Sequence, residues 1–360
     1  MLISGPPRLA KRVIVPYGLW SDASTLLACD AQALSALVQW LRHAELHTQA
    51  HGPSLSMPHE LAQAAALGWP VQDGLLPWAA QAAVQAGLAH PGDGSAWAWV
   101  SLCHWQISHG QATLTDPQDL ALDDATDAAV WAAMQPFFAE DGLTLHRHQP
   151  GVWLVQSPTL AHLPTASLDR VIGEDIDEWL VGAQPANANA SSTDTATQAG
   201  LWRRLQNEMQ MLLYTHPINA QRQVPINSFW LHGSGALPAH APAVTDTTLA
   251  PLPICQALRQ AHFGGDWVAW LAAWQDLQTW LFAEASSPTE LVCTSSHETR
   301  VVTRLDEALH ASGRVGWAAR VQKAWHALNQ KWQGADAARD WRRVLAASPV
   351  SSHGPQQVNT

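Results

Sequence analysis

Residues 206–238 read QNEMQMLLYTHPINAQRQVPINSFWLHGSGALP, and this stretch decides how the chain is organised. Apolar residues recur at helical spacing just before and within its first part, at Leu201, Leu205, Met209 and Leu213. Pro217 lacks a backbone N–H and disfavours helical geometry in the residue before it, so the helix is predicted to end near Tyr214. Residues 228–232, SFWLH, then predict a buried strand that runs into the glycine-rich GSG.

Size and composition indicate a globular protein of two lobes. The chain has 360 residues, of which 47% are hydrophobic, and single cores usually stop growing at about 250–300 residues. A net charge of −11 without a run of Lys or Arg argues against a nucleic-acid partner. The absence of a signal-like start and of about 18 consecutive apolar residues predicts a cytoplasmic protein with no membrane partner.

Four cysteines are scattered along the chain without a CxxC pair, at Cys29, Cys103, Cys255 and Cys293. This spacing gives no zinc signature and is typical of reduced thiols in the cytoplasm. Twenty tryptophans are spread through the chain, which favours packing in cores and interfaces.

Strand and helix patterns alternate, and this alternation predicts the α/β class with a mixed sheet. Strands are predicted at 12–16, 96–103, 111–114, 143–148, 151–155 and 290–295, and helices at 31–46, 61–67, 76–89, 123–138, 266–282 and 305–347. Residues 181–200 have no apolar period and predict a flexible surface insertion, and the tail at 348–360 is predicted to be disordered.

No GxGxxG, P-loop, HExxH or GxSxG motif is present. Three longer segments nevertheless resemble a bacterial family whose members are labelled "regulatory protein" of the Rpf type or "cofactor-independent phosphoglycerate mutase". They are PTASLDRVIGEDIDEWL at 164–180, LQNEMQMLLYTHPIN at 205–219 and NSFWLHGSG at 227–235. The order of motifs also resembles the archaeal-type cofactor-independent phosphoglycerate mutases, two-metal enzymes of the alkaline phosphatase superfamily.

The resemblance implies a specific fold. It is an alkaline-phosphatase-like mixed sheet flanked by helices, with an inserted smaller α+β lobe. We assign residues 1–100 and 239–347 to the α/β core and residues 101–238 to the inserted lobe.

The resemblance also implies positions for a metal site and a nucleophile. The first strand of the mutases ends in Asp-Gly, and that Asp binds metal, whereas here the strand leads to Tyr17 and Gly18. The mutases carry Gly-Ser-Asp, with a nucleophilic Ser and a metal-binding Asp, where this chain has Pro58-His59-Glu60. His59 therefore stands at the catalytic position, and its phosphorylation is a hypothesis that follows from that place.

Two later metal-ligand positions have changed as well. The mutases have a His just before Gly-Asp, whereas here Phe263 precedes Gly-Gly-Asp and His262 lies one residue further away. The late Asp-His pair of the mutases corresponds to Ser296 and His297. The residual metal candidates are thus Glu60, His262 and His297, with His59 as a possible substitute.

A two-metal centre for phosphoryl transfer needs several carboxylates and imidazoles to hold the cations and offset their charge. Two retained ligands do not hold Mn²⁺ or Zn²⁺ strongly. We therefore expect no metal cofactor, and Mn²⁺ or Zn²⁺ only if the protein is an active enzyme.

The polar residues of the inserted lobe have two interpretations. The lobe of the mutases faces the active-site cleft, so the resemblance implies that His216, Asn219, Arg222 and Asn227 bind substrate, and an Arg can contact a phosphate or carboxylate through two hydrogen bonds. Alternatively, His216 and Asn219 cap the helix end, Asn227 satisfies a strand edge and Arg222 is solvated. His232 is interpreted as a buried or edge histidine rather than a ligand.

Three functions remain open. The first is a non-catalytic, metal-free relative of the mutases that binds a small phosphorylated or carboxylate ligand, or a protein partner, in a regulatory role. The second is an active metal-dependent phosphoglycerate mutase or phosphatase, which predicts that His59, Glu60, His262 and His297 converge. The third is a protein-interaction module whose tryptophans form an exposed patch of several hundred Å².

Overall fold

The computed structural model describes residues 12–42, 44–183, 192–239, 247–283, 288–304 and 340–348. The chain divides into two compact units. The core unit comprises Met1–Gly52 and Val244–Thr360, and the inserted unit comprises Pro53–Ala243. One unit therefore interrupts the other in sequence, as predicted for a lobe inserted into a core.

The strands are β1 Arg12–Val15, β2 Ala44–Ala50, β3 Ala96–Ser108, β4 Gln111–Thr115, β5 Thr144–Gln149, β6 Val152–Gln156, β7 Ser228–Ala236, β8 Thr247–Leu249, β9 Glu290–Thr294 and β10 Glu298–Arg304. The α-helices are α1 Ala23–Ala28, α2 Ser35–Leu41, α3 Pro58–Ala66, α4 Trp78–Gln85, α5 Asp124–Glu140, α6 Leu168–Val171, α7 Ser192–Tyr214, α8 Leu252–Gly264, α9 Trp267–Leu281 and α10 Trp341–Val344. Short 3₁₀ turns lie at Pro117–Leu120, Pro158–His162, Ile176–Glu178 and Pro217–Asn219.

The core unit contains a mixed five-stranded sheet in the order β2-β10-β9-β1-β8. β1 runs parallel to β8 and β9, and β10 runs antiparallel to β9 and β2. Val13, Ile14 and Val15 are all buried, as expected for a central parallel strand covered on both faces. Helix α9 buries Trp270 and Trp274. The predicted class, an α/β fold with a mixed sheet flanked by helices, is confirmed.

The inserted unit contains an antiparallel sheet in the order β4-β3-β6-β5, with β7 also paired to β3. Alternate residues of β3 face a core shared with α5 and α7, at Ala98, Val100 and Leu102. Helix α7 adds apolar residues at helical spacing to the same core, at Trp202, Leu205, Met209 and Leu213. The unit is therefore α+β, as predicted, although it spans more residues than the core unit.

The inserted unit begins at Pro53, not at residue 101. Helix α4 belongs to it because Ala79, Ala80 and Ala83 pack against Trp97 of β3. The loop before α3 belongs to it as well, since the Asp73 carboxylate accepts backbone N–H groups of that loop at 2.8 and 2.9 Å. These packing contacts link segments that are adjacent in space, which a sequence boundary drawn from strand order does not capture.

Several predicted elements differ in extent. The helix predicted at 31–46 ends at Leu41, because residues 44–50 form β2 at the edge of the core sheet. The insertion predicted as flexible at 181–200 contributes the first turns of α7 from Ser192. Residues 184–191, most of the helix predicted at 305–347 and residues 349–360 of the predicted tail lie outside the described residues.

The organising stretch folds as predicted. Helix α7 ends at Tyr214, and Pro217 begins a 3₁₀ turn. The strand predicted at 228–232 is β7, which continues to Ala236. None of the helices in the described ranges is long and apolar enough to cross a membrane.

Candidate functional site

Tyr17 lies just after β1, at the position where the resemblance places a metal-binding aspartate. Its side chain is buried, with 2% of its surface exposed. The Tyr17 ring centroid lies 5.1 Å from that of His262 and 5.7 Å from that of Phe263. Two positions that the resemblance relates to metal ligands, at Tyr17 and at His262-Phe263, are thus adjacent in the structure. Ring side chains in contact occupy both.

Helix α9 holds the turn after β1 through two indole N–H groups. Trp270 Nε1 donates to the Tyr17 carbonyl oxygen at 2.8 Å, and Trp274 Nε1 donates to the Gly18 carbonyl oxygen at 3.2 Å. A Cβ atom on Gly18 would lie 2.9 Å from a methyl group of Val15. Glycine is therefore required at position 18. The two tryptophans hold the turn by hydrogen bonds to the carbonyl oxygens of residues 17 and 18.

The segment His262-Phe-Gly-Gly-Asp266 forms the connection between α8 and α9. Gly265 ends α8 in the left-handed region, with φ of 64°. Asp266 Oδ1 accepts the backbone N–H groups of Val268 and Ala269, each at 3.0 Å, and so caps α9. The only carboxylate of this segment therefore serves the start of a helix.

His297 lies in the turn between β9 and β10. Its Nε2 donates to the Ser348 carbonyl oxygen at 3.0 Å, and its Nδ1 lies 3.1 Å from the Ser296 hydroxyl. Its own carbonyl oxygen accepts the His51 N–H at 2.8 Å. Both ring nitrogens are therefore engaged within the core unit.

Beside His297, Glu298 and Arg300 form a buried ion pair on β10. Arg300 Nε donates to Glu298 Oε1 at 2.7 Å, and the two side chains are 9% and 1% exposed. The second oxygen, Oε2, accepts the Ser348 N–H at 2.6 Å. Glu298 is the first residue of β10, and both of its carboxylate oxygens accept hydrogen bonds.

His59 and Glu60 lie in the first turn of α3, in the inserted unit. Glu60 Oε2 accepts the Met57 N–H at 2.8 Å, which satisfies one of the free donors at the helix start. The pKa of Glu60 is raised to about 7, chiefly by burial. The nearby Asp169 carboxylate adds to the rise, and the Met57 hydrogen bond opposes it. Glu60 thus holds a proton over part of the neutral range.

Helix α6 adds two charged side chains close to Glu60. Asp169 and Arg170 both act on the Glu60 pKa, in opposite directions. Arg170 Nη2 donates to the Ser56 carbonyl oxygen at 3.1 Å, and its guanidinium lies 5.8 Å from the centroid of the Trp179 ring. The sequence analysis did not single out Asp169 and Arg170. The signal was the adjacent Asp-Arg pair within residues 164–180, the segment that carries part of the resemblance.

A serine–histidine pair joins β3 to β7 in the same unit. The Ser101 hydroxyl and His232 Nε2 lie 2.9 Å apart. Burial lowers the pKa of His232 to about 4, and the Asp169 charge opposes this only in part, so the imidazole is neutral at pH 7. His232 is half-buried on β7, which confirms its interpretation as a buried or edge histidine. Ser101 is 1% exposed, so a bulky substrate does not reach it.

Asn219 ties the end of α7 to the segment before β7. Its Nδ2 donates to the Leu213 and Ile226 carbonyl oxygens at 2.9 and 2.8 Å. Its Oδ1 accepts the Ile226 N–H at 2.9 Å. The amide therefore makes three hydrogen bonds to the backbone.

His216 and Asn227 also bond the backbone. His216 Nδ1 accepts the Ile218 N–H at 3.2 Å and caps the 3₁₀ turn. Asn227 Oδ1 accepts the Trp105 N–H at 2.7 Å, and its Nδ2 donates to the Trp105 carbonyl oxygen at 2.9 Å. This is the capping and strand-edge alternative described from the sequence.

Arg222 is half-buried rather than solvated. Its Nε donates to the Val224 carbonyl oxygen at 3.2 Å, and its Nη2 donates to the Leu120 carbonyl oxygen. The four predicted substrate-binding residues thus lie near the junction of α7 and β7, and each contacts main-chain atoms. Ligand binding by them stays a prediction.

The predicted metal candidates are divided between the two units: His59 and Glu60 lie in the inserted unit, and His262 and His297 lie in the core unit. Across the described part of the chain, no group of three or more His, Cys, Asp or Glu side chains could hold a metal ion. At the core-unit positions where the resemblance places ligands, the side chains are the Tyr17 phenol, the His262 imidazole in ring contact with Tyr17, and the hydrogen-bonded His297 imidazole. This donor set does not fit the pair of divalent cations that the resemblance implies.

Comparison with known proteins gives limited similarity. No protein-family model matches the chain, and no curated protein matches it. Among solved structures, the PH0037 protein from Pyrococcus horikoshii is similar at 12% identity and a TM-score of 0.41, over 82% of this chain and 88% of that one. A cofactor-independent phosphoglycerate mutase from Thermoplasma acidophilum is similar at 11% identity and a TM-score of 0.32, over 83% of this chain and 90% of that one. Likenesses at these TM-scores carry no argument about function.

Proposed function

We propose that this protein is a relative of the cofactor-independent phosphoglycerate mutases that has lost the bimetal centre. It binds a small phosphorylated or carboxylate ligand, or a protein partner, in a regulatory role. The motif order in residues 164–235 and the insertion of an α+β unit into an α/β core support this relationship. In this proposal the two-unit organisation is inherited from an enzyme family, and the residues at the expected metal positions no longer match the ligands of that family.

The contact of Tyr17 with His262 and Phe263 carries the proposal. A phosphoryl-transfer centre uses its cations to stabilise the attacking and leaving oxygens, and several carboxylates hold those cations. A buried phenol against two rings replaces the first of these carboxylates. The nearby carboxylates do not compensate, since Asp266 caps α9 and Glu298 pairs with Arg300.

The ligand-binding half of the proposal concerns His216, Asn219, Arg222 and Asn227. A ligand at these residues has to compete with hydrogen bonds that they already make to the backbone. Arg222 retains the chemistry for an anion, because a guanidinium has five N–H donors and two of its nitrogens are the ones engaged here. A phosphate or carboxylate is thus the ligand class that the residue types favour.

The tryptophan surface of the third hypothesis is not found in the described part of the chain. Among the tryptophans there, Trp267 alone is exposed, at 39% of its surface. The others lie in cores or are half-buried. A protein partner would therefore have to recognise something other than an aromatic patch in these ranges.

Titration of the purified protein with Mn²⁺ and Zn²⁺ under native mass spectrometry tests the loss of the metals, together with a phosphoglycerate mutase assay. We expect no stoichiometric ion and no turnover. The variants are His297→Ala and, as a control, His109→Ala at an exposed histidine. Two ions per chain, lost in His297→Ala but kept in His109→Ala, with measurable turnover, would establish the active enzyme instead.

A further inference from the structure

Strand β2, Ala44–Ala50, lies at one edge of the core sheet. Within the described ranges it pairs with β10 alone, in an antiparallel ladder that includes each of its 7 residues. The exposed residues of the strand are Glu45, His47, Thr48, Gln49 and Ala50. The outer edge of a strand carries a row of backbone N–H and C=O groups that can pair with a further strand. β2 thus presents a long and accessible edge.

β2 lacks three features that protect the edges of natural sheets. Proline, lysine and β-bulges each hinder regular pairing at an edge. The sequence of β2, AELHTQA, contains neither proline nor lysine. Its pairing with β10 keeps one register from Ala44 to Ala50, so no bulge interrupts the strand. The edge is therefore regular enough to accept a second strand.

Two hydrogen bonds show which backbone groups of β2 point away from the sheet. His51 donates its N–H to the His297 carbonyl oxygen at 2.8 Å, one step beyond the last pair of the β2–β10 ladder. Arg304 donates its N–H to the Thr289 carbonyl oxygen at 2.7 Å, so the even-numbered residues of β10 bond β9. Because hydrogen-bonded pairs alternate along antiparallel strands, residues 45, 47 and 49 bond β10. Residues 44, 46, 48 and 50 direct their N–H and C=O groups to the outer edge.

β2 is self-complementary about His47. A second copy of the strand, antiparallel to the first about a two-fold axis at this residue, overlaps it along its whole length. Across the axis, Ala44 faces Ala50, Glu45 faces Gln49, and Leu46 faces Thr48. The outward-directed residues face one another in this register, so their backbone groups form about eight hydrogen bonds. The Glu45 carboxylate meets an amide donor, and no carboxylate faces another.

We propose that β2 is a dimer interface, in which two copies of the chain pair their β2 strands antiparallel about His47 and join their core sheets into one. Such a contact uses the same surface on both copies, so it closes after two chains. A junction of two short strands buries little area compared with standard protein interfaces, and we expect a dissociation constant of roughly 1–100 μM. Dimerisation through β2 requires neither a ligand nor a metal, and so it is independent of the function proposed above.

Sedimentation velocity of the full-length protein, over concentrations that span this range, measures the dimer. Gln49→Lys places an ammonium group opposite Glu45 of the other copy, whereas Gln49→Glu places a carboxylate there. Each dimer contains this pair twice, so we expect Gln49→Lys to associate about 2- to 10-fold more tightly than wild type and Gln49→Glu about 2- to 10-fold more weakly. Gln223→Lys and Gln223→Glu make the same changes in net charge at an exposed residue of the inserted unit and are the controls.

The double variant Glu45→Lys/Gln49→Glu tests the register. It exchanges the positions of the two charges and so restores an opposite-charge pair between the copies. We expect this variant to dimerise at least as tightly as wild type, although Gln49→Glu alone associates more weakly.

Hydrogen exchange locates the contact at single amides. The N–H groups of Leu46 and Thr48 should become protected as the protein concentration rises, whereas those of Glu45, His47 and Gln49 bond β10 and should be protected at every concentration. A dimer that follows the charge variants, with this alternating protection, supports the proposal. A protein that stays monomeric, a dimer that responds to the Gln49 variants no more than to the controls, or protection of Leu46 and Thr48 that is independent of concentration overturns it.

Discussion

Tyr17 and His262 lie in ring contact, with centroids 5.1 Å apart, although they are far apart in the sequence. Tyr17 follows β1 and His262 lies near the end of α8, so the contact joins the first strand of the core sheet to a helix beyond the inserted unit. The resemblance relates both segments to metal ligands of the mutases. The two positions are adjacent in the core unit, and both are occupied by ring side chains in contact.

Replacement of Tyr17 by the aspartate of the mutases is expected to destabilise the core unit rather than to create a metal ligand. Tyr17→Asp removes a buried ring and places a carboxylate among Phe263 and His262. We expect a loss of roughly 3–5 kcal/mol in the free energy of unfolding, measured by urea titration. Tyr17→Phe keeps the ring and is expected to lose no more than about 1 kcal/mol. Tight Mn²⁺ binding by a stable Tyr17→Asp protein would contradict this prediction.

Glu60 is expected to make stability fall as the pH rises towards neutral. Its pKa is about 7 in the folded protein and near the ordinary 4.5 in the unfolded chain, so the folded state binds more protons between these values. The stabilising contribution is fully present below pH 4.5 and is lost as the pH rises through about 7. The size of this contribution is roughly 3 kcal/mol.

Unfolding free energies measured from pH 4.5 to 8.5 in wild type and Glu60→Gln check this dependence. Glutamine keeps the shape and an acceptor for the Met57 N–H but does not titrate. The difference in unfolding free energy between the two proteins should therefore change with pH, and this change is the contribution of Glu60. Parallel curves for the two proteins would show that Glu60 has an ordinary pKa.

His232 is expected to act with the opposite sign. Its pKa is lowered from 6.5 to about 4, so the unfolded chain binds more protons between these values. The contribution to stability is full above pH 6.5 and is lost as the pH falls towards 4. The two effects partly cancel between pH 4.5 and 6.5, which makes single-variant measurements necessary. His232→Gln should remove the loss below pH 6.5, and unchanged acid sensitivity in this variant would assign that sensitivity elsewhere.

The local elements were predictable from the sequence because their signals are local. Pro217 ends the helix before it, and the apolar run SFWLH forms β7. The edge strand β2 was not predicted, and its first three residues were assigned to the end of the helix predicted at 31–46. Its sequence AELHTQA lacks the apolar alternation of a half-buried strand. These residues form a strand because they pair with β10, which lies far away in the chain. The pattern of seven residues contains no signal for such a distant partner.

The roles of the candidate site residues were harder to predict, because they depend on contacts between residues far apart in the sequence. His59 and Glu60 were identified through the resemblance to the Gly-Ser-Asp motif of the mutases. The Glu60 pKa is set first by burial and then by contacts that include Asp169 and Arg170 of α6, far along the chain. Asn219 and Asn227 were predicted to bind substrate or, alternatively, to bond backbone groups at a helix end and a strand edge. Whether that role is a ligand or a backbone group depends on where Ile226 and Trp105 lie, and the sequence does not contain this information.

Asn219→Asp distinguishes these two roles for Asn219. A carboxylate loses the N–H donors to the Leu213 and Ile226 carbonyl oxygens and faces both of them with negative charge. We expect a loss of roughly 2–4 kcal/mol in unfolding free energy without ligand. Gln223→Glu makes the same chemical change at an exposed residue of this loop and should be nearly neutral. If Asn219→Asp were as stable as this control, a ligand-binding role would be favoured.

The Glu298–Arg300 pair gives a test of how residues 340–348 are held in the core unit. Arg300→Met leaves the Glu298 carboxylate buried with the Ser348 N–H and removes the donors to Arg343 and Val344. Loss of one partner of a buried pair is expected to cost roughly 3–5 kcal/mol, and the double variant Glu298→Gln/Arg300→Met should recover part of it because no uncompensated charge remains. Urea unfolding of wild type, both single variants and the double variant measures this coupling. Additive losses would show that the two charges act independently. Residues 340–348 would then be held chiefly by their backbone bonds to Trp20 and by their buried side chains.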